Sequence, residues 1–216
     1  VVAVARSGPA LAELATTSPN IRTEVADAAD ATVAWNLVDH YEPVVLILVA
    51  GANPVMRPLQ DQTWETFSVN WHTDVKIAFT WLREALLKPL PPGSRVVVMS
   101  SGAAINGSPA SGGYAGSKAT QRFIAAYAQD ESRRAGLGIT VTAVMPRMTP
   151  FGDVGRRGIR AYAARGGQTE EEYLKQMGEL LTPEMAGDAL LDLVRADPAT
   201  IVPGYLLTAA GLQKPS

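Results

Sequence analysis

The 216-residue sequence contains no cysteine, which removes disulfides, thiolate metal sites and a cysteine nucleophile together. Histidine is almost as scarce: His40 and His72 are the only two, too few for an imidazole metal cluster. Charge of either sign is nearly balanced, with a formal net charge of −2, so no basic field points to nucleic acid or an anionic lipid surface. No apolar run approaches the length of about 18 residues needed to cross a bilayer, and no secretory leader is evident. What remains is a chain with 47% hydrophobic residues, enough for one sizeable core. The expectation is a single cytoplasmic domain acting on a small molecule, with no nucleic-acid or membrane partner and no metal.

Strand-like and helix-like segments alternate along the chain. VVAVA, NIRTEVAD, PVVLILVAG, SRVVVMSSG, GITVTAVMP and IVPGYLLTA read as strands, rich in β-branched residues. PVVLILVAG and its apolar companions read as strands buried on both faces of a parallel sheet. SGPALAELATT reads as a helix, with Ser7 as N-cap and Pro9 in its first turn. DATVAWNLVDHY is a second helix. From Thr63 to Lys88, residues Trp64, Phe67, Trp71, Val75, Ala78 and Leu82 recur at threes and fours, which predicts one long helix stopped before Pro89. YAGSKATQRFIAAYAQDESRRAG and TPEMAGDALLDLVRAD supply two more helices. This rhythm predicts an α/β fold with a doubly wound parallel sheet, whose functional groups gather at the carboxyl ends of the strands.

Three of those ends are suggestive: Arg6-Ser7, Gly51, and Ser100-Ser101. Tyr114 and Lys118 in SGGYAGSKAT stand four residues apart and therefore share a helix face. A phenol ordinarily titrates near 10, and a neighbouring cation favours its ionised form. Ser101, thirteen residues earlier at a strand end, could hydrogen-bond a carbonyl oxygen while Tyr114 gives or takes a proton.

Ser101, the Tyr114-x-x-x-Lys118 pair and Asn70 in FSVNWHTDVKIAF together resemble the short-chain dehydrogenase/reductase family, over nearly the whole chain. The resemblance implies a Rossmann-like fold and an NADP(H)-dependent oxidoreductase interconverting a carbonyl and an alcohol. It implies Tyr114 as general acid, Ser101 as the group orienting the carbonyl, and Lys118 as the cation lowering the Tyr114 pKa and bonding the nicotinamide ribose. Asn70 would hold a water in a proton relay, or satisfy backbone groups at an irregular helix turn. Ser100 is the alternative to Ser101.

On the cofactor side the family implies Arg6, Ser7, Asp27, Ala50, Gly51, Tyr114, Lys118, Pro146 and Thr149. An acid after the first strand would bind a ribose 2′-hydroxyl, whereas Arg6-Ser7 suits a 2′-phosphate, so NADP is expected over NAD. Arg6 as a solvated edge residue, and Asp27 as a helix cap, stay open. The chain departs from the family at Val49-Ala50-Gly51, where Asn-Ala-Gly is usual, leaving Asn53 as a candidate substitute. It departs again at Pro146-Arg147, where Pro-Gly is usual. A Gly-rich phosphate loop is absent from these residues, so a preceding strand and helix, upstream of residue 1, are expected to complete the domain.

Residues 152–172 are Gly-rich, charged and irregular; the resemblance implies a mobile substrate lid there, and an ordinary solvated loop with a short helix is the alternative. The resemblance also implies a homodimer or homotetramer built on the helix with Trp64, Trp71 and Trp81 and the helix with Tyr114, Phe123 and Tyr127. The rival functional class is a catalytically silent nucleotide-binding or scaffolding protein on the same fold.

Overall fold

Val96-Val97-Val98 and Val141 to Met145 are almost wholly buried, and they form two adjacent interior strands of the main sheet. The computed structural model describes residues 1–215. In it, β4 (Arg95–Met99) pairs parallel with β5 (Thr140–Pro146), from Arg95 opposite Thr140 to Met99 opposite Val144. β3 (Val45–Leu48) flanks β4, and β6 (Gly204–Thr208) flanks β5, both parallel. A short β7 (Gly211–Gln213) folds back antiparallel on β6 and gives the order β3-β4-β5-β6-β7. The tight turn before it puts Gly211 at φ +93°, a conformation that costs little only without a Cβ.

β1 (Val2–Ala5) and β2 (Arg22–Val25) form a separate parallel pair, joined by α1 (Gly8–Thr16). Among the described residues β1 pairs on one side only, with β2, and β3 on one side only, with β4. PVVLILVAG is therefore not a doubly covered strand: Val45 is 40% and Ile47 38% exposed. A run of apolar residues sets strand propensity, but its covering depends on neighbours far away in sequence.

Helices lie on both faces of the main sheet, as the alternation of side chains along β4 shows. Val96 and Val98 join a core with Ala34 and Val38 of α2 (Ala31–Tyr41), Ile77, Ala78, Trp81, Leu82 and Ala85 of α4 (Lys76–Leu87), and Ala125 and Ala128 of α6 (Gly112–Arg134). Val97 faces the other way, with Val144, Leu207 and Leu193 of α9 (Pro183–Arg195). Burying each such valine or leucine contributes roughly 1.5–3 kcal/mol. The α/β fold with a parallel-dominated sheet expected from the sequence is present.

The predicted long helix runs from Trp64 to Leu87, but not uniformly. Thr63 caps α3 (Trp64–Asn70) in a reciprocal box with Thr66, and Trp71–Val75 then form one π-helical turn before α4. The β1-β2 unit is fastened to the body through α2 against α4. A Trp81 Nε1 donor to the Ala28 carbonyl, 2.9 Å long, reinforces that contact. Trp81 is therefore a core residue, not an interface residue.

Residues 152–172 are mostly helical rather than irregular: α7 (Asp153–Arg165) is followed by α8 (Glu170–Gln176), whose start is fixed by a Thr169–Glu172 capping box. A short helix, α5 (Ala103–Asn106), links β4 to the loop before α6.

Candidate active site

The glycine pair before Tyr114 exists because α3 and α6 cross in contact there. A Cβ on Gly113 would lie 1.7 Å from the Phe67 carbonyl oxygen, one on Gly112 3.2 Å from the Phe67 ring, and one on Gly116 3.3 Å from the Trp71 indole. With no side chains in the way, the face of α6 that carries Tyr114 and Lys118 lies against the end of α3 and the π-turn. That contact brings Asn70 and Asp74 to Lys118.

Ser101 follows β4 and is half-buried, its Oγ accepting from the Ala103 N–H at 3.2 Å. Ser100 has a different task. It is buried and donates its hydroxyl to the Lys118 carbonyl at 2.7 Å, fastening α6 to the strand end. Tyr114 is half-buried, and the Lys118 Nζ stands 5.6 Å from its ring centroid. Lys118 Nζ donates to the Met99 carbonyl at 3.1 Å and lies 3.1 Å from Asp74 Oδ2.

Asn70 is buried at the start of the π-turn. Its Nδ2 donates to the Ala52 carbonyl at 2.7 Å and to Asp74 Oδ1 at 3.2 Å. Its side chain thus ties the start of the irregular turn to the loop after β3.

The electrostatics differ from the simple expectation that Lys118 lowers the phenol. Burial pushes Tyr114 above its ordinary 10.0; a Ser101 hydrogen bond pulls it down and the Asp74 charge pushes it up. Burial likewise lowers Lys118 from 10.5, against the pull of Asp74 toward the charged form.

Asp74, not singled out in the sequence reading, is the centre of this arrangement. Its Oδ1 accepts from the Ala52 N–H at 2.8 Å and so ties down the loop after β3, where Asn53, the candidate substitute, is exposed. A Cβ on Gly51 would fall 2.7 Å from Asp74 Oδ2, which is why position 51 is glycine. Gln121 Nε2 donates to the Asp74 carbonyl at 2.8 Å within the π-turn. The readable signal was an aspartate one turn after Asn70 in a helix otherwise apolar on that side.

The remaining cofactor-side residues sit at strand ends. Arg6 and Ser7 are exposed after β1, where the Ser7 hydroxyl caps α1 by accepting from Ala10 N–H. Asp27 turns the chain after β2, its Oδ1 accepting from Ala29 N–H at 2.9 Å, while the helix cap of α2 is Asp30. Ala50 and Gly51 are exposed after β3. Pro146 ends β5, and the Thr149 hydroxyl donates to the Leu181 carbonyl at 2.6 Å.

A cavity of about 340 Å³ between Val38, Glu42, Lys88 to Pro92 and Leu137 lies at the amino ends of the strands, away from all of these groups. A smaller one of about 110 Å³ lies on the active-site side, lined by Arg147, Met148, Tyr173, Met177 and Leu181.

The family model for short chain dehydrogenases matches residues 1–157. The chain belongs to the short-chain dehydrogenase family. It is an NAD(P)-dependent short-chain dehydrogenase/reductase, and solved structures of other dehydrogenases share its fold. An NAD+-bound xylitol dehydrogenase is similar over 96% of this chain and 87% of its own, at 18% identity and a TM-score of 0.82. A sorbitol-6-phosphate 2-dehydrogenase from Erwinia amylovora is similar over 97% of this chain and 88% of its own, at 18% identity and a TM-score of 0.82. A serine dehydrogenase complexed with NADP+ is similar over 95% of this chain and 83% of its own, at 15% identity and a TM-score of 0.75. By sequence alone, no curated protein matches the chain.

The donor set of this short-chain dehydrogenase/reductase fits a dinucleotide. An exposed guanidinium and hydroxyl stand after β1, an open glycine stands after β3, and Lys118 has three N–H donors of which Met99 and Asp74 engage two. Among the described residues no cluster of three metal-ligating side chains is present, and no helix is long and apolar enough to cross a membrane.

Proposed function

We propose that the protein reduces a small-molecule carbonyl to an alcohol, and runs the reverse reaction, with NADP(H) as its preferred cofactor. The convergence of Ser101, Tyr114 and Lys118 at the carboxyl end of β4 carries this reading. The nicotinamide supplies the hydride when bound; the protein's part is to hold the carbonyl and manage one proton. The Ser101 hydroxyl faces the substrate oxygen and stabilises the charge growing on it. The Tyr114 phenol, protonated at neutral pH because burial raises it, gives its proton to that oxygen in reduction and recovers it in oxidation. Lys118, held by Met99 and Asp74, has one N–H left for the ribose and the phenol. Asn70 holds the loop after β3 through Ala52 and so shapes the floor of the site.

The NADP preference rests on Arg6, exposed at the end of β1 where no acid stands to meet a free 2′-hydroxyl. A homodimer or homotetramer is supported by Phe79 of α4 and Phe123 and Tyr127 of α6, large aromatics exposed on the helices expected to form the interface. The absence of cysteine fits a cytoplasmic setting.

The deciding experiment compares NADPH-dependent carbonyl reduction by the protein and by its Tyr114→Phe variant. Turnover should fall by roughly 10²-fold or more, with NADPH binding, followed by nicotinamide fluorescence, unchanged. Full activity in the variant would overturn the assignment.

A further inference from the structure

Asp74 is a charged group in the middle of a protein, with 1% of its side chain exposed, and its partner Lys118 has 6%. Burying a carboxylate is costly unless it is paired and hydrogen-bonded. Here the pairing is full. Oδ1 accepts from Ala52 N–H and Asn70 Nδ2, while Oδ2 faces Lys118 Nζ at 3.1 Å. The carboxylate is thus bonded to the loop after β3, to α3 and to α6, three segments that surround the Tyr114 phenol and the open face beyond β3.

We propose that Asp74 is a positioning residue acting through Lys118: it fixes the ammonium beside Tyr114 and cancels its charge there, holding the phenol in the protonated form that donates in carbonyl reduction. This rests on the reading of Tyr114 as the acid and base, and deepens it. A lone cation 5.6 Å from the ring would favour phenolate, and a neutral ion pair in the same place does not. The charges bearing on the phenol are Asp74 from the π-turn and Lys118 from its own helix; the end of β4 presents only the neutral Ser101 hydroxyl and Met99 carbonyl. Burial raises Tyr114 most, and the Asp74 charge raises it further against the pull of the Ser101 hydrogen bond. The tie to Ala52 gives the same carboxylate a hold on the cofactor side, so the loop after β3 and the proton donor are positioned by one group.

The test is a tyrosinate absorbance titration of Tyr114, taken as the difference between each protein and its Tyr114→Phe counterpart. It needs neither substrate nor cofactor. Asp74→Asn should move the Tyr114 midpoint down by about one pH unit or more, since Lys118 is then uncompensated. Lys118→Met should move it up by a similar amount, and the double variant Asp74→Asn/Lys118→Met should fall between the two. An unchanged midpoint in Asp74→Asn, accompanied only by a lower Tm, would reduce Asp74 to a structural residue and overturn the proposal.

If Asp74→Asn fails to fold, the parent and the double variant decide. Neither carries a net charge beside the phenol, so their midpoints should agree, and a double variant well above the parent would show that Lys118 lowers the phenol despite Asp74 and overturn the proposal. The turnover of Tyr114→Phe judges the underlying reading separately. Lost turnover with an unmoved midpoint removes the Asp74 role alone, and retained turnover with a moved midpoint removes the acid and base role alone.

Discussion

The Cβ that Gly113 lacks would sit 1.7 Å from the carbonyl oxygen of Phe67. That obstacle is backbone, so no rotamer change relieves it. Gly113→Ala should force α6 off α3 and cost about 3 kcal/mol, read as a fall in Tm of about 10 °C. Carbonyl reduction should fall with it, because the next residue is Tyr114. A melting temperature within a degree of the parent would show that the two helices do not cross as described.

The two adjacent serines separate by readout. Ser100→Ala removes the bond that ties the strand end to the Lys118 carbonyl and should cost about 1 kcal/mol, seen in thermal melts, while turnover survives. Ser101→Ala should leave the melting curve almost unmoved and lower kcat by roughly 10²-fold. An exchange of these outcomes would make Ser100 the group at the substrate.

Cofactor choice gives a third test. Arg6→Ala should weaken NADPH binding about tenfold, the loss of one charged contact to a phosphate, and leave NADH binding where it was. Equal weakening of both, in parallel fluorescence titrations, would mean that Arg6 meets a part common to the two cofactors.

The fourth test uses acid. Glu172 accepts from Thr169 N–H at 2.7 Å and from the Thr169 hydroxyl at 2.9 Å, and these bonds hold its carboxyl below the ordinary 4.5. A lowered folded pKa means that the unfolded chain takes up the proton first. The stabilisation of α8 is therefore complete above pH 4.5 and is lost as pH falls through the lowered value. Limited proteolysis at α8 between pH 3 and 6 should show this opening, and Glu172→Gln should flatten the dependence. An identical acid response in the variant would exclude the cap as its source.

The proximity of Ser101, Tyr114 and Lys118 was legible because it rests on local spacing. Tyr114 and Lys118 share a helix face by arithmetic, and Ser101 ends an unmistakable β run. The cap at Ser7 is likewise written in short-range chemistry. What escaped depends on long-range partners. Asp74 looks like any helical aspartate until α6 delivers Lys118 to it, and nothing near Asn53 says that Asp74, 21 residues later, ties down the loop after β3. β3 carries the composition of a covered strand yet lies at a sheet edge, since composition does not count neighbours. The glycines and charges of 152–172 suggested a loop, but Thr169-x-x-Glu172 was a helix start in plain sight.

The π-turn at Trp71–Val75 sets two requirements against each other. Its extra residue advances everything after it by about 100° around the helix axis. Phe67 and Asn70 on one side of it look toward α6 and the β3 loop, and Ile77, Trp81 and Ala85 on the other look toward the sheet. Removing any one residue from this segment would restore a regular helical hydrogen-bond ladder and make the helix locally better. It would also rotate α4 until its apolar stripe no longer met the core, or α3 until Asn70 left the site. The length of this helix is thus as tightly constrained as the identity of its buried residues.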